Sequence, residues 1–236
     1  FHTINRKEKF KVTFNRDVLR RAFLSENGLS QMLSQTMNVA ASSDEWSEFL
    51  HMTSLFRTFE AKHGFFRMQI SDLNAIESDK VKTDGALKAL RIAANKMQYP
   101  TPAYNAAGVH SFARPEDLVI IATPEFKANV DVTSLSAAFN RSDAEAPSHI
   151  ITIPGETLGL DDTSAILTTK DFLLIRDVLL ENRSISNPEG LYDNYWLHHW
   201  SVLSTSPFTP AIAFGTKPNT IVVTPKDETN AEIQDV

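Results

Sequence analysis

The chain has 236 residues, 42% of them hydrophobic and 22% charged, and a formal net charge of −6. That is enough chain for one large domain or two small ones, with the balance of an ordinary globular protein. The lack of cysteine excludes a disulfide scaffold and thiolate metal or redox sites, the net acidity excludes a general polyanion binder, and no apolar run is long enough to cross a bilayer.

Phe1 opens the chain where a native start has Met, so the sequence reads as one that begins downstream of its start. No secretory apolar segment follows. Residues 6–21, "RKEKFKVTFNRDVLRR", hold seven basic residues against Glu8 and Asp17, whereas the tail "KDETNAEIQDV" is acidic. The basic stretch reads first as a solvated strand face and helix start, and second as a docking face for acidic protein or phosphate. Within it "KFKVTF" alternates, which predicts a half-buried strand with Phe10, Val12 and Phe14 on one face and Lys9, Lys11 and Thr13 on the other.

Three helices follow in the pattern. Leu29, Met32, Leu33, Thr36, Met37 and Ala40 share one helical face. Ser42 and Glu45 form a capping box that predicts a second helix over 43–63, about 30 Å long, with Trp46, Phe49, Leu50, Phe56 and Phe59 on its face and a stop at Gly64. A third helix is expected from a Thr83 cap to Met97, ended by Tyr99-Pro100. "LVIIA" (118–122) reads as a strand buried on both faces. Thr123-Pro124 starts a short helix, and 131–140 predicts another. "HIITIP", "SAILTT", "DFLLIRDVLL" and "LYDNYWLHHWSVL" read as successive strands, followed by "AIAF" and "TIVV". Helices dominate the first half and strands the second, which is α+β.

Chemistry is sparse. The sequence holds no phosphate-binding glycine loop, nucleophile elbow or H-E-x-x-H. His198-His199 is the most tempting pair, but neighbours on a strand point to opposite faces and cannot share a metal without a bulge. One is expected to face a core and the other a surface or interface. Asp161-Asp162 follows "PGETLGL" in a turn, where Asp bonds nearby backbone more often than it holds Mg²⁺. Glu156 and Asp193 offer nothing sharper. The aromatic cluster Tyr192, Tyr195, Trp196 and Trp200 has no Lys or Arg inside it, which favours a core or a protein contact over a base-stacking platform. The expectation is no catalytic, cofactor-binding or metal-ligating residue, no cofactor and no enzyme activity.

"TTKDFLLIRDVLLENRSISNPEGLYDNYWLHHWSVLSTSPFTPAIAF" (168–214) resembles the C-terminal segment of the major capsid proteins of small short-tailed phages of the phi-29-like group. The "KDF" turn, the "SNPEGLYDNYW" junction, the "HHWSVLSTSPF" strand and "AIAF" carry the resemblance. "VDVTSLSAAFN" (130–140) and "FHTINRKEKFKVTFNRDVLRRAF" extend it upstream. The resemblance implies an α+β, HK-97-type capsid fold. Residues 1–80 would hold the peripheral-domain strand and spine helix, 81–165 the axial domain, 166–215 the long strands returning to the peripheral domain, and 216–236 a C-terminal extension. The family's N-terminal arm and extended loop are missing from this stretch. A chain beginning at Phe1 is therefore expected to fold yet stay monomeric or in small oligomers.

The implied function is a major head protein of the virion, assembled in the host bacterial cytoplasm. It would self-associate into pentamers and hexamers of an icosahedral or prolate shell. Scaffold and portal proteins would be its assembly partners, packaged double-stranded DNA a weak and non-specific one, and membranes none. An encapsulin-like nanocompartment shell is the alternative, separable by imaging what the particles contain. An α+β hydrolase with an unrecognised site is the third, testable by an activity screen with and without Mg²⁺.

Overall fold

The computed structural model describes residues 3–15, 28–73, 80–130, 150–160 and 162–218. The helix expected over 131–140, the strand "TIVV", Asp161 and the arginines at 16, 20 and 21 lie outside the described residues. The fold forms two compact units, one drawn from Phe1–Lys62, Glu156–Gly159 and Leu173–Ser206, the other from His63–Gly155, Leu160–Phe172 and Pro207–Val236.

The first unit is a three-stranded antiparallel sheet with one long helix on it. Strand β1 (Arg6–Asn15) alternates buried and exposed side chains along its length, as its sequence predicts. Helix α1 runs unbroken over Gly28–Lys62. The capping box at Ser42 and Glu45 therefore does not open a helix. A cap needs a non-helical residue, and here the preceding residues are helical, so Ser43 Oγ donates back to the Val39 carbonyl at 2.7 Å. Phe56 and Phe59 are buried as expected, but Trp46 and Leu50 are exposed. The long strands anticipated over 166–203 are a hairpin of Leu173–Asn187 and Tyr192–Thr205. The sheet places the second of these strands in the middle, between the first and β1.

The second unit centres on a five-stranded mixed sheet. In chain order its pieces are β2 (Phe66–Gln69), α2 (Lys80–Met97), β3 (Leu118–Ala122), α3 (Pro124–Asn129), β4 (Ile150–Thr152), β5 (Thr163–Thr169) and β8 (Ile212–Gly215). A four-residue helix, α4 (Gly155–Leu158), precedes β5 in the chain, and from Glu156 on it belongs to the first unit. The hairpin strands of the first unit are thus β6 and β7. The order is β2-β8-β5-β3-β4. Ala86, Leu90, Ala93, Ala94 and Met97 of α2 pack with Ile120, Leu167, Ile212 and Phe214 of the sheet in one apolar core. Helix α2 is already helical at Lys80, before the Thr83 expected as its cap. Thr123 caps α3 as predicted, accepting from the Phe126 amide. Strand β5 belongs to this sheet, so the "SAILTT" and "KDF" segments end one sheet before the hairpin starts the other.

Candidate functional site

The functional geometry of the first unit lies on the two faces of its sheet. The inner face meets α1. Arg6 stands there with a fully buried side chain. It donates from Nη2 to Asp44 Oδ1 at 2.5 Å and to the Asp44 carbonyl at 3.0 Å, and from Nε and Nη2 to Glu8 Oε2 at 3.2 and 3.0 Å. Glu48 Oε2 lies 3.6 Å from Nη1. His199 of β7 joins the cluster: its Nδ1 donates to Asp44 at 2.8 Å and its Nε2 to Asp177 of β6 at 3.0 Å. When protonated, the ring donates from both nitrogens to carboxylates. The 2.9 Å approach of Arg6 Nη1 to His199 Nδ1 is then a contact of two donors held by the shared Asp44, whereas in the neutral ring carrying its proton on Nε2 the Nδ1 atom accepts from Arg6. Asp177 reaches the ring from a β-bulge, because the β6–β7 register slips between Asp177 and Leu179.

Charge governs both titrating members. Burial pulls the His199 ring down, but hydrogen bonds to Asp44 and Asp177 and the charge of Asp44 outweigh it and Arg6, leaving the pKa raised. Partial burial pushes Glu8 up, and the hydrogen bonds from Ser47 and His51 with the Arg6 guanidinium more than reverse that, leaving it lowered. Charges in a partly buried joint are costly unless they are paired, and this network pairs Arg6 and the protonated His199 with carboxylates across β1, α1, β6 and β7. The sequence carried a signal for it that periodicity of apolar residues hides. Asp44, Ser47, Glu48 and His51 recur at i, i+3, i+4 and i+7, a polar stripe at helical spacing.

The outer face differs. The β1–β7 register sets Lys7 beside Trp200, Lys9 beside His198 and Lys11 beside Trp196. Lys7 Nζ sits 5.2 Å from the Trp200 ring centroid and Lys11 Nζ 5.8 Å from that of Trp196. The aromatic cluster is therefore interleaved with lysines, contrary to its appearance in the sequence. Strand pairing joins residues from opposite ends of the chain, which a linear window cannot show. His198 and His199 face opposite ways, the first half-buried on this outer face and the second buried on the inner one. Tyr195 packs edge-on to Phe14 at 5.3 Å. Tyr192 OH accepts from Asn187 Nδ2 at 2.7 Å across the β6–β7 turn.

The other described residues weighed in the sequence make hydrogen bonds within the chain. Asp193 accepts from Ser186 Oγ. Asp162 has φ 61°, and its carbonyl accepts from the Thr216 amide at 3.1 Å. The carbonyls of Glu156, Thr157 and Leu158 all accept from Arg57, whose guanidinium closes the C-terminal end of α4. Among the described residues no group of three or more His, Asp or Glu side chains is arranged to hold a metal ion.

A long helix laid on a hairpin sheet in one unit, and a mixed α/β sheet in the other, make this an HK97-type phage capsid fold. The chain is similar to a chain in the capsid structure of Staphylococcus phage Andhra, with a TM-score of 0.68 and 14% identity over 90% of this chain and 70% of that one. It is also similar to a chain in the head-fibre and inner-core structure of bacteriophage P68, with a TM-score of 0.67 and 13% identity over 92% and 72%. The family model described as Phi29-like phage major capsid protein matches residues 1–215, and the chain belongs to that family. It is 33% identical to the major capsid protein of Bacillus phage GA-1 over 91% of this chain and 45% of that protein. For the major capsid protein of Bacillus phage B103 it is 31%, over 95% and 49%. The chain thus spans about half the length of these curated relatives.

Proposed function

We propose that the chain is a structural shell subunit, a major head protein that self-associates into pentamers and hexamers of an icosahedral or prolate virion capsid around double-stranded DNA. The family match over residues 1–215 carries this reading. The flank of β6 supports it. Leu174, Ile175, Val178, Leu180 and Ile185 are all exposed on this strand. β6 is also an edge strand of its sheet among the described residues. Long apolar edge strands are a hazard unless another chain covers them, and a neighbouring subunit is the cover a shell supplies. Scaffold and portal proteins are the assembly partners in this reading, the DNA contact is weak and non-specific, and assembly takes place in the host bacterial cytoplasm. In this reading the peripheral domain would follow the first compact unit (Phe1–Lys62, Glu156–Gly159 and Leu173–Ser206) and the axial domain the second, in place of the division at 80 and 165 expected from the sequence. Chemical cross-linking and negative-stain imaging across a concentration series, with and without a scaffold protein, test the proposal. Residues 1–236 alone are expected to stay monomeric or in small oligomers, and a chain as long as the curated relatives, with scaffold, to form rings of five and six that grow into closed particles. A chain of that length that stays monomeric throughout overturns the proposal.

A further inference from the structure

Within the basic stretch at the start of the chain, Arg6 belongs to the inner-face network and Lys7, Lys9 and Lys11 do not. These lysines stand on the outer face of β1, and all three are exposed. The register adds Arg183 beside Trp196 and Arg176 beside Val202 on the same face of the sheet, against one carboxylate, Glu181. Arg183 is tied to Glu181 at 2.6 Å. A chain of net charge −6 therefore carries a cationic sheet face. Lys7, Lys9 and Lys11 repeat every ~7 Å along the strand, and the indoles beneath Lys7 and Lys11 hold those ammonium groups in place.

We propose that β1 is a docking edge for an extended acidic segment of a partner polypeptide, added as a fourth strand with carboxylates at alternate positions. Three observations select this occupant. β1 is the other edge of its sheet among the described residues, so its outward amides and carbonyls are placed to pair with a peptide backbone. Alternate carboxylates on an added strand fall opposite the lysines at cross-strand distance, where opposite charges stabilise pairing. The intervening side chains turn to the inner face, beside Phe10 and Val12, which help line an apolar cavity of about 240 Å³ with Met37, Ala40 and Tyr195. A nucleic acid fits less well. Its bases need open rings to stack on, and here lysines lie over both indoles, while a phosphodiester chain has nothing to match the strand's alternating donors and acceptors. The inference concerns a different edge from β6 and does not rest on the shell reading.

The test uses a fluorescein-labelled peptide, Glu-Thr-Glu-Val-Glu-Thr-Glu, read by anisotropy at low and near-physiological salt. Its N-methylated counterpart, blocked along the pairing edge, and a thymidine oligonucleotide of matched charge are the comparisons. Saturable peptide binding that weakens with salt is expected. It should fall on the order of tenfold with N-methylation, and similarly in the triple variant Lys7→Glu, Lys9→Glu, Lys11→Glu. Lys9→Gln, a milder change, should weaken binding less, and circular dichroism checks that both variants are folded. Equal binding of the N-methylated peptide would sink strand addition. Tighter binding of the oligonucleotide would make the face a nucleic-acid surface. Loss of self-association in the triple variant, without loss of peptide binding, would assign β1 to a second copy of the chain. Absence of peptide binding overturns the proposal outright.

Discussion

Arg6 holds the joint between α1 and the sheet, and its removal takes from Asp44, Glu8 and Glu48 the cation all three share. Breaking one side of a buried pair costs about 3–5 kcal/mol, so Arg6→Ala is expected to destabilise the first unit by about that much. All three tryptophans, Trp46, Trp196 and Trp200, lie in this unit, so urea titration followed by indole fluorescence reads it alone. The pH dependence follows from the two shifted groups. His199 is raised above its ordinary 6.5, so the stability it contributes is complete below that value and is lost as pH rises through its folded pKa. Glu8 is lowered from 4.5, so its contribution is complete above that value and is lost as pH falls through its folded pKa. The urea midpoint should therefore hold between those two ordinary values and fall on either side. His199→Gln should lower the plateau and abolish the alkaline limb; an alkaline limb that survives this substitution would belong to another group.

At the level of elements, local pattern was read well where one face alone decided the structure. β1, β3, the Thr123 cap and the C-terminal end of α2 stand where local pattern put them, while α2 starts at Lys80, ahead of the Thr83 cap expected. Pattern failed where contacts distant in sequence decided. β2 is four residues long and exists by pairing in parallel with Ile212–Gly215, which its own "FRMQ" does not announce. The Ser42 cap signal was real locally but sat inside a longer helix. The inner face of α1 was misread because its buried position is taken by Asp44, not by Trp46. Close approaches give two expectations here. A Cβ on Gly215 would lie 1.7 Å from the Asp162 carbonyl oxygen, with backbone on both sides of the clash. Gly215→Ala should cost at least about 1–3 kcal/mol, read as a lowered Tm and faster amide exchange in β5 and β8. In the β6–β7 turn, Asn187 Oδ1 accepts from the amides of Glu189 and Gly190 at 3.0 and 3.2 Å. Asn187→Ala should cost about 1 kcal/mol, visible as faster exchange confined to the hairpin tip. A global loss of protection would contradict that local role.

For the whole molecule, family membership was legible because an ordered series of segments carries it, densest in 168–214, rather than any single chemical motif. The surfaces were not legible in the same way, since a sheet face is assembled from strands that lie far apart in the chain. β6 shows the consequence. α1 packs on β1 and β7, which leaves aliphatic side chains of β6 exposed on both sides of the sheet: Leu180 is paired with inward-facing His199, Ile185 with Asn194 of the opposite face. Leu180 is 64% and Ile185 60% exposed, so replacing them removes little buried area and should leave the fold within about 0.5 kcal/mol of its original stability. A subunit contact would respond differently, because burying an unpaired carboxylate in an interface is strongly unfavourable. The double variant Leu180→Glu, Ile185→Glu is therefore expected to keep its Tm and its far-ultraviolet dichroism while losing the oligomers seen by sedimentation velocity. Unchanged oligomers would move the subunit contact off β6, and a fall in Tm matching the loss of oligomers would show that these side chains stabilise the subunit itself.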